Sequence, residues 1–144
     1  MKNLINIACI GLLIISIFGC ASSKNTKIEN ESINDTKLEP PVKFEHYQNP
    51  FYDDPGAVSE GGEIYIERCE SCHGEDGRGE GPMSKSLDPK PGSLIEGDLS
   101  DQYLFWRITE GGMMDPFNSV MPAWKTILSD DQIGKVIVFI RSME

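Results

Sequence analysis

The sequence predicts an all-α domain, and three observations support this fold class. Three segments carry apolar residues at the spacing of helices. Each of these segments contains a serine near its start that suits the N-cap position. No strand–helix–strand pattern surrounds the Cys-x-x-Cys sequence at residues 69–72, as a thioredoxin-like fold would require. We therefore expect three to five helices in one domain over residues 56–144.

The first helix is predicted over "PGAVSEGGEIYIERCESCHG", residues 55–74. Ser59 is the expected N-cap, followed by acidic residues near the positive end of the helix dipole. Gly61 and Gly62 are unusual inside a helix, because each costs about 1 kcal/mol relative to alanine. Glycine at such a place indicates that another backbone crosses closely.

A second helix fits "LSDQYLFWRITEGG", residues 99–112, where Ser100 caps the start and Gly111-Gly112 ends the helix. Between the first two helices lies a segment rich in glycine and proline, residues 74–94. These residues prevent long regular structure. A loop of this length in a small domain is usually functional.

The last helix is predicted over "LSDDQIGKVIVFIRSME", residues 128–144. Ser129 and Gln132 have the spacing of a capping box. One apolar stripe is formed by Ile133, Val136, Ile137 and Ile140. This helix is the expected partner that crosses the first helix at its glycines.

The N-terminus predicts export. "MKNLINIACIGLLIISIFGC" has the charged start and the apolar run of a secretory signal, and the run is shorter than the roughly 20 residues of a membrane span. Gly19-Cys20 resembles the lipobox of bacterial lipoproteins, in which the cysteine is lipidated. We expect a signal peptide over residues 1–19, a lipid on Cys20 and a location on the periplasmic face of a bacterial membrane. Ordinary signal cleavage and an uncleaved anchor stay open as alternatives.

Residues 20–55 are predicted to form a polar tether after the lipidated cysteine. The segment is rich in Ser, Asn, Lys, Glu and Pro, so it cannot bury enough apolar surface to offset its ordering entropy. Four aromatic residues are the exception, and we expect them to pack on the folded domain or on a partner: Phe44, Tyr47, Phe51 and Tyr52.

"CESCH", residues 69–73, carries the chemistry. A Cys-x-x-Cys pair can hold zinc, exchange a disulfide or anchor a cofactor, and the adjoining His73 favours the attachment of c-type haem. Cys69 and Cys72 would form the two thioethers and His73 would ligate the iron. A zinc site lacks further ligands, because the other two cysteines lie within the first twenty residues and one other histidine, His46, is present.

The chain resembles the class I monohaem cytochromes c over residues 56–144. The resemblance rests on "GGEIYIERCESCHG", "DGRGEGP", "MPAW" and the closing "FIRSM". It implies one covalent haem c, crossed N- and C-terminal helices, and packing of Gly61 on Phe139. It also implies a proline carbonyl that accepts the ring proton of His73, with Pro82 as the matching residue and Pro89 or Pro91 as substitutes.

Met121 is the expected sixth ligand of the iron. It lies 48 residues after His73, and Pro122 would hold the backbone extended beside it. The alternatives are Met83, Met113, Met114, Met143 and His46. With both axial positions filled by the protein, we expect electron transfer rather than catalysis.

The charge of the chain restricts its partners. Residues 56–144 contain 16 acidic and 8 basic residues, a net of −8, which does not suit nucleic acid. This surface suits redox protein partners with a basic docking patch, or it only maintains solubility.

The predicted function is that of a membrane-tethered cytochrome carrying single electrons between respiratory partners by outer-sphere transfer. The alternative is a fixed haem subunit of a larger respiratory complex, similar to alternative complex III or an oxidase. A haem sensor or enzyme is a third class, and it would need an open sixth position.

Overall fold

The computed structural model describes residues 39–114 and 116–144, so the predicted signal peptide, Cys20 and most of the predicted tether lie outside the described residues. Four α-helices follow one another: α1 Ala57–Arg68, α2 Glu70–His73, α3 Asp101–Glu110 and α4 Asp130–Ser142. Three short 3-10 helices occupy Val42–Phe44, Ser84–Ser86 and Trp124–Thr126. The described residues include no strand, which agrees with the all-α prediction, and none of their helices has the length and apolar character needed to cross a bilayer.

Helix α1 begins earlier than the sequence predicted, so the assignment of Ser59 as N-cap is wrong. The turn before the helix is organised by Asp54, whose side-chain Oδ1 accepts a hydrogen bond from Gly56 N at 2.8 Å. Its backbone oxygen accepts another from Ala57 N at 3.1 Å. Because these bonds already turn the chain, Gly56 takes the N-cap position without a side-chain cap, and Ser59 lies inside the first turn.

The predicted starts of α3 and α4 are confirmed. Ser100 Oγ accepts a hydrogen bond from Tyr103 N at 3.2 Å. Ser129 Oγ accepts from Gln132 N at 3.2 Å and Ser129 N donates to Gln132 Oε1 at 3.0 Å, which completes the capping box. Gly111 ends α3 with a φ of 74°, a conformation that favours glycine.

Helices α1 and α4 cross at the two glycines of α1, with a pairing that differs from the predicted one. A methyl group at Gly61 would overlap the backbone carbonyl of Lys135, so Gly61 meets main chain. A methyl group at Gly62 would lie 3.0 Å from the ring of Phe139, so Gly62 rather than Gly61 makes the predicted contact with this ring. Successive helical residues point about 100° apart, so a single glycine does not face both groups.

The core lies between these helices and α3. The apolar stripe predicted on α4 is buried, with at most 2% of each of its four side chains exposed. It packs with residues of α1 and α3, namely Tyr65, Leu104, Phe105, Trp106 and Ile108. The interior of the domain therefore consists mainly of three helix faces that meet around one apolar cluster.

The aromatic segment before α1 packs on the folded domain. Phe44 is buried, and the Tyr47 ring stacks on Phe105 with 3.8 Å between centroids. Asn49 Nδ2 donates a hydrogen bond to the carbonyl of Gly134 at 2.8 Å. The expected packing of this aromatic segment on the folded domain is therefore confirmed for Phe44 and Tyr47, which contact α3.

We expect Gly61→Ala to destabilise the domain by about 1–3 kcal/mol, the usual cost of forcing an atom into a packed interface. Its methyl group would overlap a backbone carbonyl that is fixed within α4. Gly62→Ala should cost less, because a ring can shift. Urea unfolding of the holoprotein, followed by circular dichroism, measures both.

Gly56→Ala is the matched control, since its methyl group would meet only the flexible side chains of Glu60 and Asp54. Equal unfolding midpoints for Gly61→Ala and Gly56→Ala would contradict the close crossing.

Candidate cofactor site

The Cys-x-x-Cys-His segment forms a tight turn directly after α1. Cys69 separates α1 from α2, and its carbonyl accepts hydrogen bonds from Cys72 N at 3.1 Å and His73 N at 2.9 Å. Both thiols are free and half-buried. The turn thus brings two thiols and an imidazole together at the end of α1.

The following loop holds this turn through glycine backbones. Gly79 N donates to the carbonyl of His73 at 2.7 Å, and Gly81 N donates to the carbonyl of Cys72 at 3.1 Å. A methyl group at Gly81 would lie 2.5 Å from the carbonyl oxygen of Glu70, so only glycine fits. The sequence analysis did not identify these donors, although the alternating glycines of "DGRGEG" mark the place.

Tyr65 connects α1, the turn and α4. Its side chain is almost completely buried, and its hydroxyl donates a hydrogen bond to the carbonyl of Gly74 at 2.7 Å. Its ring lies 5.2 Å from that of Phe139, between centroids. Burial raises the pKa of this phenol, so it remains a donor at any ordinary pH.

A cavity of about 450 Å³ opens beside the turn, within the size range of small-molecule and cofactor sites. Its lining is mainly apolar and comes from all four helices and the loops between them. The predicted ligands and anchors that line it are Cys69, Cys72, His73 and Met121. The structure therefore brings together, around one apolar space, four residues that are separated by up to 52 positions in sequence.

Met121 is the one methionine among the described residues that lines this cavity. Met83 and Met113 are exposed, as is His46. Met114 and Met143 are partly buried against the core without lining the cavity. The geometry thus favours Met121 over each alternative candidate for a ligand.

Backbone contacts fix the segment that carries Met121. Its carbonyl accepts a hydrogen bond from Gly112 N at 2.9 Å, and the Gly112 carbonyl accepts one from Ser119 N at 2.8 Å. A methyl group at Gly111 would lie 2.7 Å from the Met121 carbonyl oxygen. The two glycines that end α3 therefore also set the position of the methionine segment.

The surroundings of His73 differ from the predicted ones. Burial lowers the pKa of the imidazole, and a contact of the ring with the Gly92 backbone opposes this shift. Nδ1 is buried and makes no hydrogen bond of good geometry. Pro82 is exposed and does not line the cavity, whereas Pro91 does, so the chain beside the imidazole is the Pro91-Gly92 segment. This position favours Pro91, one of the two predicted substitutes, over Pro82 as the proline next to His73.

The environment of the thiols bears on the three chemistries open to the motif. Burial raises the pKa of the Cys69 thiol to about 12, and disulfide exchange instead depends on a thiolate of low pKa. Among residues 39–114 and 116–144, no three His, Cys, Asp or Glu side chains group in a way that could hold a metal ion. An apolar cavity next to two thiols and a buried imidazole that is neutral at pH 7 fits a macrocycle held by thioethers.

Solved structures show the same fold. Cytochrome cL from Methylophaga aminisulfidivorans superposes with a TM-score of 0.51 at 22% identity, over 66% of this chain and 60% of that chain. A chain of the reducing HAO-like protein complex of Kuenenia stuttgartiensis matches with a TM-score of 0.51 at 27% identity, over 62% of this chain and 44% of its own. The fold and the site thus define a class I cytochrome c domain.

The family described as "Cytochrome C oxidase, cbb3-type, subunit III" matches residues 56–140, and the chain belongs to this family. Its cofactor is therefore covalent haem c.

Two relatives have similar cytochrome domains. The cbb3-type oxidase subunit FixP of Rhizobium meliloti is 30% identical over 62% of this chain and 28% of its own length. The cytochrome c subunit of the quinone alcohol dehydrogenase of Gluconobacter oxydans is 32% identical over 60% of this chain and 18% of its own length. The chain spans less than a third of the length of the curated relatives that it matches.

Proposed function

We propose that this chain is a membrane-tethered monohaem cytochrome that carries single electrons between respiratory partners. The observation that supports this most directly is the shared cavity, which joins both cysteines, His73 and a single methionine. Cys69 and Cys72 hold the haem through thioethers. His73 and Met121 would ligate its iron.

The chain's own residues then favour outer-sphere transfer over catalysis. Bound haem c supplies a one-electron couple. His73 has a lowered pKa and is neutral at pH 7, which is the form that ligates a metal. The thioether of Met121 raises the potential relative to a second histidine. With both positions filled, no site is left for a substrate on the iron.

The net charge of the chain indicates what kind of partner surface it would bind. The whole chain has 23 acidic and 13 basic residues, a formal net charge of −10. Several described cations are already paired with carboxylates, including Arg78 with Glu96, Lys135 with Glu60 and Arg141 with Asp101. The remaining excess is acidic, which favours a partner with a basic docking patch and a salt-dependent association rate.

A fixed subunit of a larger complex is the second candidate. The relatives in an oxidase and in a dehydrogenase support it, since both are named as subunits. The aromatic segment favours the free carrier, because Phe44 and Tyr47 are used on the chain's own domain rather than left for a partner. Purification of the native protein in mild detergent separates the two: a carrier elutes alone and a subunit with its complex.

We expect covalent attachment through both cysteines. After acid-acetone extraction the haem should stay on the polypeptide, because thioethers resist acid. Cys69→Ser and Cys72→Ser should each keep one bond, and the double variant should lose haem staining on a denaturing gel. Free haem extracted from the parent protein would refute this attachment.

Met121→Ala should abolish the weak far-red absorption band of sulfur-ligated ferric haem and lower the potential. The identity of the axial ligands changes the reduction potential of haem over a range of roughly 0.8 V. Loss of the Met121 thioether should change the potential by part of that range. The reduced variant should bind carbon monoxide, and the parent should not. Met114→Ala is the matched control, since Met114 is partly buried outside the cavity and should keep the band. A band lost in Met114→Ala and kept in Met121→Ala would reverse the ligand assignment.

Cys20→Ser tests the proposed lipid anchor. The variant should appear in the soluble periplasmic fraction with a normal haem spectrum, because the described haem domain has no membrane-crossing helix. Cell fractionation with spectroscopy of each fraction measures this. Retention in the membrane at high salt would show that a partner or an uncleaved signal anchors the protein.

A further inference from the structure

We infer that Glu110 is a positioning residue for the sixth iron ligand, because its carboxylate fastens the segment that carries Met121 to the end of α3. Glu110 is the last residue of α3 and directly precedes Gly111 and Gly112. The inference rests on the proposed function, in which Met121 ligates the haem iron. It adds an ionic contact, outside the cavity lining, that would control how readily the methionine leaves the iron.

The Glu110 carboxylate uses its two oxygens for two different parts of the chain. Oε2 accepts a hydrogen bond from Lys125 Nζ at 2.5 Å, and Oε1 accepts one from Lys43 Nζ at 2.7 Å. Lys125 lies in the 3-10 helix that follows Met121, and Lys43 lies in the 3-10 helix that precedes α1. One carboxylate therefore joins the end of α3 to both of these segments.

The methionine segment is thereby held to the end of α3 at two points. The first point is main chain, since Gly112 N donates to the Met121 carbonyl at 2.9 Å. The second point is the ion pair between Glu110 and Lys125. Three residues separate Met121 from Lys125, and one of them is Pro122, whose ring fixes its own φ. A movement of Met121 away from the cavity is therefore opposed at both ends of a short segment.

The surroundings of the carboxylate favour the charged pair. The exposed fraction of the Glu110 side chain is 18%, compared with 48% for Lys125 and 63% for Lys43. A negative charge in the last turn of a helix is disfavoured by the helix dipole, and the two ammonium groups offset this repulsion. Their hydrogen bonds, first that of Lys125 and then that of Lys43, lower the pKa of the carboxyl, so it is ionised at neutral pH. Lys43 occupies one oxygen and so keeps the other directed at Lys125.

Another ion pair between elements provides a matched control. Glu60 Oε2 lies 2.5 Å from Lys135 Nζ and joins α1 to α4. Among the ion pairs of the described residues, only that of Glu110 with Lys125 involves the chain between Met121 and α4. Loss of the Glu60 pair therefore affects the stability of the domain without releasing the methionine segment.

The test measures binding of imidazole to the ferric full-length holoprotein, because an added ligand reaches the iron only after the thioether has left. Loss of the far-red band follows the titration. Glu110→Gln should raise the association constant of imidazole about two- to fivefold, the factor that corresponds to the loss of a surface ion pair. Lys125→Gln should raise it by a similar factor, and Glu60→Gln should leave it unchanged.

A double variant and added salt show whether the ionic contact itself is responsible. The variant with both Glu110→Gln and Lys125→Gln should bind imidazole no more tightly than either single variant, because both changes remove the same contact. Salt should raise the association constant of the parent towards that of Glu110→Gln, since the exposed ammonium group is screened. Glu60→Gln should follow the parent, and Glu110→Gln should barely respond to salt.

The far-red band of the parent separates a failure of the ligand assignment from a failure of this inference. A parent without the band would overturn the assignment of Met121 and this inference with it. A parent with the band, and parental association constants in both Glu110→Gln and Lys125→Gln, would overturn this inference alone. An equal increase in Glu60→Gln would do the same, since it would show a general loss of stability. If Glu110→Gln does not take up haem, Lys125→Gln decides, because it changes a half-exposed side chain.

Discussion

The close crossing of α1 and α4 is the constraint on which the site depends. Gly61 lies against the Lys135 carbonyl, so the two helices approach to backbone contact. Cys69 follows Gly61 by eight residues, or about 12 Å along the helix axis. The direction of α1 at the crossing therefore sets where the Cys-x-x-Cys-His turn meets the cavity. Tyr65 lies halfway between Gly61 and Cys69. Its contacts with Phe139 and Gly74 hold α1 and the turn in this position.

Glycine backbones play the same role at two further places. Gly79 and Gly81 donate to the carbonyls of the cofactor turn, and Gly112 donates to the carbonyl of Met121. At Gly79, Gly81 and Gly111 the missing side chain allows main chain to approach main chain. The Cys-x-x-Cys-His turn and the segment that carries Met121 are thus both located by backbone hydrogen bonds. Such bonds hold position more tightly than side-chain packing alone.

Local patterns predicted the elements well, and contacts between elements less well. Ser100, Ser129 and the stripe on α4 follow from neighbouring residues, so the sequence was enough. Ser59 failed because Asp54, five residues earlier, already turns the chain. The sequence did not distinguish Pro82 from Pro91, because only the path of the loop shows which proline lines the cavity beside His73.

The cavity also links the fold to its cofactor. If nothing filled the space of about 450 Å³, the apolar groups that line it would lack packing partners. The walls come from all four helices, so a group that fills this space contacts each of them. Covalent attachment at the end of α1 therefore serves folding as well as electron transfer. It keeps the haem, which fills the cavity, bound to the chain that packs around it.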